Sequence, residues 1–530
     1  MKSKLEVLWD FLSVDKAQRA FKRNLRKTGR PIGSYKKGSK ILVESLQIPS
    51  NQIALNLFLE AYNSIVSADL VAYRMAEEKR FSEIKAKLRH RFSILRTMGV
   101  NRFLFVGYNS KESMPGIRNL YATIENNEQL EDFTIDGILV GDLIYDLFLT
   151  RKRSHTLELH NPEVFEIFDE CIQYFYIWKD YLENNNVEAV IVSHCVYHLA
   201  IPARIAIAMR IKVFTVQTES IFKLDAENLH AYTSSRKLKL ELSNLDENEL
   251  IQGRTAAREN LQRRFSGDYV AELEYSSGKA FRKSQESETS HLPPKLKQVM
   301  NGVRPKVLVT THDFIDSVHY FGKAFYPDFY LWLKRLGELS HSLDYDWLVK
   351  IHPDARGAKR EIVESVARTS KNFHVLPEEV GHHEILELDI SAVLTIHGTI
   401  GTEYPYFGVP VVNASLNNPH SAFGFTVTPT SKLEYEELLF RLEELVVPDV
   451  KKEITEYLYT RHMFHLKTWI YQDYAVYLKE IGGFPKSMGK DAYLYYLNGT
   501  NQRSHSEIES ALHKFILSGD YRLLRKHFDR

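Results

Sequence analysis

Short apolar runs recur along the chain, and stretches with apolar residues every three or four positions separate them. The first series is KILVES (40–45), RFLFVGY (102–108), DGILVGD (136–142), EAVIVSH (188–194) and KVFTVQ (212–217). Runs that are apolar at consecutive positions, rather than at alternate ones, suit strands buried on both faces of a parallel sheet. NQIALNLFLEAYNSIVSADLVAYRM (51–75) has helical spacing, with Asn51 available as its cap. Residues 225–285 read as charged and helical, and SQESETSHLPPK (284–295) reads as a linker. A second series follows: KVLVTTHD (306–313), WLVKIHP (347–353), NFHVL (372–376), SAVLTIHG (391–398) and PVVNAS (410–415). Helical stretches near 325–340, 357–370, 382–388 and 402–407 separate its members, and the chain is helical from about 432 onward. Trp469, Asp473 and Tyr477 recur there at four-residue spacing and are expected to be core.

Strands alternating with helices predict an α/β fold of two doubly wound, Rossmann-like parallel-sheet domains facing a cleft, with helical additions at both ends. The boundaries predicted are a basic segment at 1–40, a first Rossmann-like domain at 41–283, a linker at 284–300, a second at 301–445 and a helical region at 446–530. The C-terminal helices are expected to pack back on the first domain.

Composition narrows the class. A formal net charge of +1 over 530 residues argues against a nucleic-acid partner. Two cysteines, Cys171 and Cys195, cannot form a disulfide framework and favour a reducing compartment. The first residues lack a signal-peptide pattern, and no apolar run is long enough to span a bilayer. A cytoplasmic protein is expected. Basic residues crowd 1–40, and KAKLRHRFSILR (85–96) reads as one basic helix with Leu88, Phe92 and Leu95 along one side. Such segments can hold a protein peripherally on an anionic membrane, here the inner face.

Ligands of open parallel sheets bind beyond the carboxyl ends of the strands, and three loops of the second series are polar there. They carry Thr311, His312 and Asp313, then His352-Pro353-Asp354, then His397-Gly398-Thr399-Ile400-Gly401-Thr402-Glu403. The last loop is read as entering a helix whose N–H groups receive an anion. Gly398 and Gly401 allow close backbone approach, Thr399 and Thr402 add hydroxyls, and Glu403 can accept hydrogen bonds from a ribose diol. A nucleotide phosphate with its sugar fits this set. For a base in the first domain the candidates are Asp142 and Asp146 in GDLIYD, then Glu219 in QTES; His194 is a further strand-end residue.

KIHP followed by HGTIGTEYPYFGVPVV resembles the second domain of GT-B glycosyltransferases, above all bacterial capsule and surface-polysaccharide enzymes using CMP-activated Kdo or sialic acids. IDGILVGDLIYDLFL (135–149) and SHCVYHLAIPARIAIAMRIKVF (193–214) also look like this group, so the resemblance covers roughly 100–430. It implies that His352 contacts the nucleotide phosphate and that Thr399 stands at the family's Ser/Thr position. The chain departs from the pattern in having His397-Gly398 where a Ser pair is common. Glu403, Pro405, Gly408 and Pro410 are also similar to the E-x-P-x-x-G-x-P run of non-hydrolysing UDP-N-acetylglucosamine 2-epimerases, in which the Glu holds the ribose. The function expected is sugar transfer from a nucleotide-activated donor to a saccharide or lipid-linked acceptor, with a protonated His352 stabilising the departing phosphate. No Asp-x-Asp motif stands at a strand end, so neither metal nor cofactor is expected. A 2-epimerase-like enzyme and a non-catalytic GT-B-like scaffold are the alternatives.

Overall fold

The computed structural model describes residues 15–28, 38–45, 48–77, 82–230, 234–268, 281, 294–352, 359–463 and 468–528. In chain order the strands are β1 (Lys40–Glu44), β2 (Asp69–Glu77), β3 (Arg102–Tyr108), β4 (Thr134–Ile135), β5 (Ile138–Leu139), β6 (Val187–Val192), β7 (Lys212–Val216), β8 (Ile221–Leu224), β9 (Lys306–Thr310), β10 (Asp346–Lys350), β11 (Phe373–Val375), β12 (Ile390–Thr395) and β13 (Val411–Asn413). They form a six-stranded sheet in the order β3-β2-β1-β6-β7-β8, a five-stranded sheet in the order β11-β10-β9-β12-β13, and the small β4-β5 hairpin. Every pairing in the five-stranded sheet is parallel, and in the larger sheet only β8 runs antiparallel to its neighbour. Both sheets are doubly wound α/β layers, as the apolar runs predict. Winding reverses between β1 and β6 in one sheet and between β9 and β12 in the other.

Two compact units result. The first comprises 1–121, 168–232 and 465–530, and the second 122–167 and 233–464. Three expectations differ from this. The helix predicted over 51–75 ends at Val66, where Ser67 takes a left-handed C-cap, and its continuation is strand β2. DGILVGD supplies only the two residues of β5 before a helix starts at Gly141. A side chain at Gly141 would meet Leu130 O at 1.8 Å, so only glycine permits this tight entry. Finally, 122–167 and 234–268 group with the second sheet, although the sequence places them with the first.

The C-terminal helices from 474 onward do belong with the first unit. Trp469, Tyr477 and Tyr493 share its core with Phe58, Ile191 and Phe214, whereas Asp473, expected in the core, is exposed and caps the helix Tyr474–Ile481. The expected linker is described only from the helix Pro294–Met300, whose Leu296 and Met300 enter the second unit's core. The basic run at 85–96 is two helices, Ser82–Arg91 and Ile94–Thr97, the second capped by Ser93. Leu95 is buried while Leu88 and Phe92 are exposed, so the three do not share one side. Residues 1–14 and 29–37 of the basic tail lie outside the described residues. Among the described residues, no helix is long and apolar enough to cross a membrane.

Candidate functional site at the second sheet's switch point

Ligands of open parallel sheets bind where winding reverses, and here the loops after β9 and β12 meet through His312, Thr395 and His397. Thr395 ends β12, and its Oγ1 lies 3.2 Å from His312 Nε2 and accepts the Gly398 N–H at 3.2 Å. The Ile396 N–H also points to His312 Nε2, at 3.4 Å, so that nitrogen serves as an acceptor. The His312 and His397 rings meet edge to face at 5.2 Å, walled by Phe329 on both and by Phe321 on His397. After β10, the His352 N–H donates to Thr311 Oγ1 at 3.3 Å, tying the third loop to the first. The structure therefore gathers His312, His352, His397, Gly398 and Thr399 at one end of one sheet. Pro353 and Asp354 lie outside the described residues.

Burial, reinforced by His397 and His352, holds the His312 imidazole well below its usual pKa; burial alone lowers His397 to about 3. Both rings are neutral at physiological pH. His352 is exposed to solvent. The Thr399 hydroxyl is exposed and makes no capping bond.

The rest of the predicted loop is committed elsewhere. The helix it enters is only Ile400–Glu403, running into a 3-10 turn at Pro405–Phe407. Thr402 is buried, and its hydroxyl donates to Thr399 O at 2.8 Å. The amides of Gly401 and Thr402 likewise close the turn onto Gly398 and Thr399 carbonyls. A Cβ on Gly401 would lie 2.5 Å from His420 Cε1, so this glycine admits an imidazole. Glu403 is buried, and its Oε1 accepts from Arg264 Nε at 2.8 Å and from Arg264 Nη2. That pair fastens the helix Glu247–Phe265 to the loop.

Asp142 and Asp146 belong to the second unit and not to the first. Asp142 accepts its neighbour Leu143's N–H at the start of the helix Gly141–Lys152. Asp146 Oδ1 lies 2.7 Å from His319 Nδ1, and Glu131 Oε1 is 3.2 Å from Nε2 of the same ring. All three of Glu131, Asp146 and His319 are buried. Burial opposes a charged His319, but Asp146 and Glu131 outweigh it and raise the imidazole well above its usual value. Beside them Tyr145 Oη and Thr156 Oγ1 donate to Asp328, which caps the helix Phe329–Leu339. Such a buried cluster of opposite charges holds a segment in place.

Other residues that the sequence reading missed surround the switch point. After β13, buried Asn413 and Asn418 hydrogen-bond each other at 3.1 Å, and Asn418 Nδ2 donates to Ile396 O at 3.1 Å, fixing the residue before His397. His420 sits 3.3 Å from Asn413 Nδ2. Burial, then Arg461 and His397, lowers His420 to about 3. The strand-end rule applied to β13 would have found Asn413, and the polar LNNPH run at 416–420 marks the others.

The first sheet's switch point has its own array. Glu44 ends β1 and accepts the Ser193 N–H, at the end of β6, at 2.7 Å. Ser193 Oγ lies 2.8 Å from His194 Nδ1, and Gln217 Nε2 donates to Ser193 O at 3.0 Å. Burial raises the Glu44 carboxyl, against the pull of hydrogen bonds from Ser193. Glu219 lies in the turn between β7 and β8, half-buried.

No family profile matches the chain, and no curated protein matches it in sequence. Among solved structures it is similar to UDP-GlcNAc 2-epimerase from Neisseria meningitidis bound to UDP-GlcNAc, with 12% identity over 79% of this chain and 95% of that one, at a TM-score of 0.23. It is similar also to S. aureus MnaA with UDP (11% identity, 78% and 94% covered, TM-score 0.25) and to the glycotransferase of kitacinnamycin (13% identity, 80% and 95% covered, TM-score 0.21). At such TM-scores the chain's own residues carry the functional reading.

Proposed function

We propose that this chain is a GT-B-like enzyme of nucleotide-activated sugars, and specifically a glycosyltransferase that seats the donor's phosphate beyond β9, β10 and β12. The observation that supports it is the convergence of His312, His352, His397, Gly398 and Thr399 at the one place in the second sheet where winding reverses. Phosphate there meets the exposed Thr399 hydroxyl and the exposed His352 imidazole, which can carry a proton. Neutral His312 and His397 shape the wall. As the glycosidic bond to phosphate breaks, negative charge develops on the departing oxygen, and groups already aimed at it lower the barrier without reorganising.

The acceptor hydroxyl must lose a proton as it attacks. Within the first unit, Glu44, buried at a strand end beside Ser193 and His194 with its carboxyl raised, has the character of a general base. Asp142 and Asp146 are poorer bases, since Leu143 and His319 already occupy their oxygens. The donor proposed is a CMP-linked Kdo or sialic-acid-like sugar, and the acceptor a surface polysaccharide or glycolipid.

Thermal shifts with CMP-Kdo, CMP-sialic acid, CDP-glycerol and UDP-N-acetylglucosamine test this reading. Stabilisation by a CMP-sugar, abolished in His352→Ala, is the expected result. Stabilisation by UDP-N-acetylglucosamine alone would favour the epimerase-like alternative, and none by any of the four would contradict a sugar-nucleotide function.

A further inference from the structure

The switch-point histidines of the second sheet raise a problem for anion binding. His312 uses Nε2 as an acceptor, and His397 and His420 are each lowered to about 3. None of these three supplies a positive charge at neutral pH. The basic side chains around the same sheet end are mostly committed. Lys350 Nζ donates to the carbonyls of Pro377 and Glu378, Arg264 is bound to Glu403, and Lys323 is paired with Asp132.

Arg461 differs. It lies in the π-helical turn Tyr459–Met463, a rare distortion that commonly marks functional positions. Its guanidinium carbon sits 5.8 Å from the centre of the Phe321 ring, and Phe321 in turn meets the His397 ring at 4.8 Å. Its charge reaches His420, the imidazole that fills the space left open by Gly401. Arg461 is thus linked through Phe321 to the His397 end of the 397–401 loop by ring contacts, and its field is felt at His420 beside Gly401. Among the described residues it is paired with no carboxylate. Stacking on an aromatic face steadies a guanidinium while leaving its planar fork of N–H donors to bind a phosphate bidentately.

We propose that Arg461 is a permanently cationic ligand of the donor's phosphate, binding nucleotide mono- or diphosphates at the His397–Gly401 loop. The proposal rests on the sugar-nucleotide reading and adds to it a positive charge that does not depend on pH.

Calorimetric titration of the full-length chain with CMP and UDP, and with cytidine and uridine as phosphate-free partners, tests it. The variants are Arg461→Gln and Arg461→Lys. Nucleotide affinity should fall roughly ten- to a hundred-fold in Arg461→Gln, with nucleoside affinity unchanged. In Arg461→Lys, which keeps the charge but not the fork, a several-fold loss confined to the nucleotides is expected, and this variant decides the matter should the glutamine variant not fold. Parent-level nucleotide binding in both variants would overturn the role of Arg461 and leave the sugar-nucleotide function standing. A parent protein that binds neither CMP nor UDP would overturn both.

Discussion

Two groups of histidines in the second unit lie in opposite electrostatic settings. His312, His397 and His420 at the switch point face one another, aromatic rings and amides, and burial strips them of charge. His319 is as buried, yet it sits between Asp146 and Glu131 and is held charged. The partner, not the depth, decides. A histidine flanked by two carboxylates is suited to holding 122–167 against the rest of the second unit, while neutral rings at a sheet end leave the charge to be supplied by a ligand.

Breaking the charged group should give the largest effect. Asp146→Ala leaves a buried imidazolium with half its compensation, and loss of one partner of a buried pair typically costs about 3–5 kcal/mol. A urea denaturation midpoint well below the parent's is expected, with nucleotide affinity of the folded protein retained. A variant as stable as the parent would mean that His319 is not charged.

At the switch point the effect should fall on binding instead. His352→Ala and Thr399→Ala are expected to weaken nucleotide binding roughly ten- to a hundred-fold, the worth of about 1.5–3 kcal/mol for a charge-assisted hydrogen bond. Both side chains are exposed, so melting temperatures should hold. Unaltered titration curves for both variants would move the site elsewhere.

Gly401→Ala joins the two readouts. Its methyl would press on His420, and overpacking of this kind costs about 1–3 kcal/mol. Nucleotide affinity should fall with stability, because the same loop carries Thr399.

The smallest effect is a pH dependence with opposite signs. His420 has a depressed folded value of about 3, so its contribution is present above the ordinary histidine value and is lost as pH falls below it. Near pH 5.8 the loss should be about 1 kcal/mol, growing with further acid. His319 has a raised folded value, so its contribution is present below the ordinary value and disappears as pH rises through the folded one. Denaturation of His420→Gln and Asp146→Ala across pH should flatten the acid and alkaline limbs respectively, and unchanged limbs would refute the assignments.

Much of this was legible in the chain. Consecutive apolar runs identified nine of the strands' cores, and the strand-end rule placed His312, His352 and the 397–399 loop at one sheet end, because these depend on residues close in sequence. The Asp69–Glu77 strand was hidden because helical spacing continues from the helix before it. The pairing of Glu403, read as a ribose acceptor, was hidden because Arg264 is 139 residues away, and that of Asp146, read as a candidate base, because His319 is 173 residues away. Arg461 carries no local motif at all. Pairings of this range depend on the fold, and no spacing rule reaches them.

The most direct measurement is a long-range 1H–15N correlation spectrum of the histidine side chains, recorded on uniformly labelled protein with and without CMP at neutral pH. Neutral-tautomer nitrogen shifts for His312, His397 and His420, with a protonated pattern for His319, would establish the two settings. Added CMP should then move the His312, His352 and His397 signals and leave His319 in place. Movement of His319 with the switch-point signals still would contradict a nucleotide site at the carboxyl ends of β9, β10 and β12.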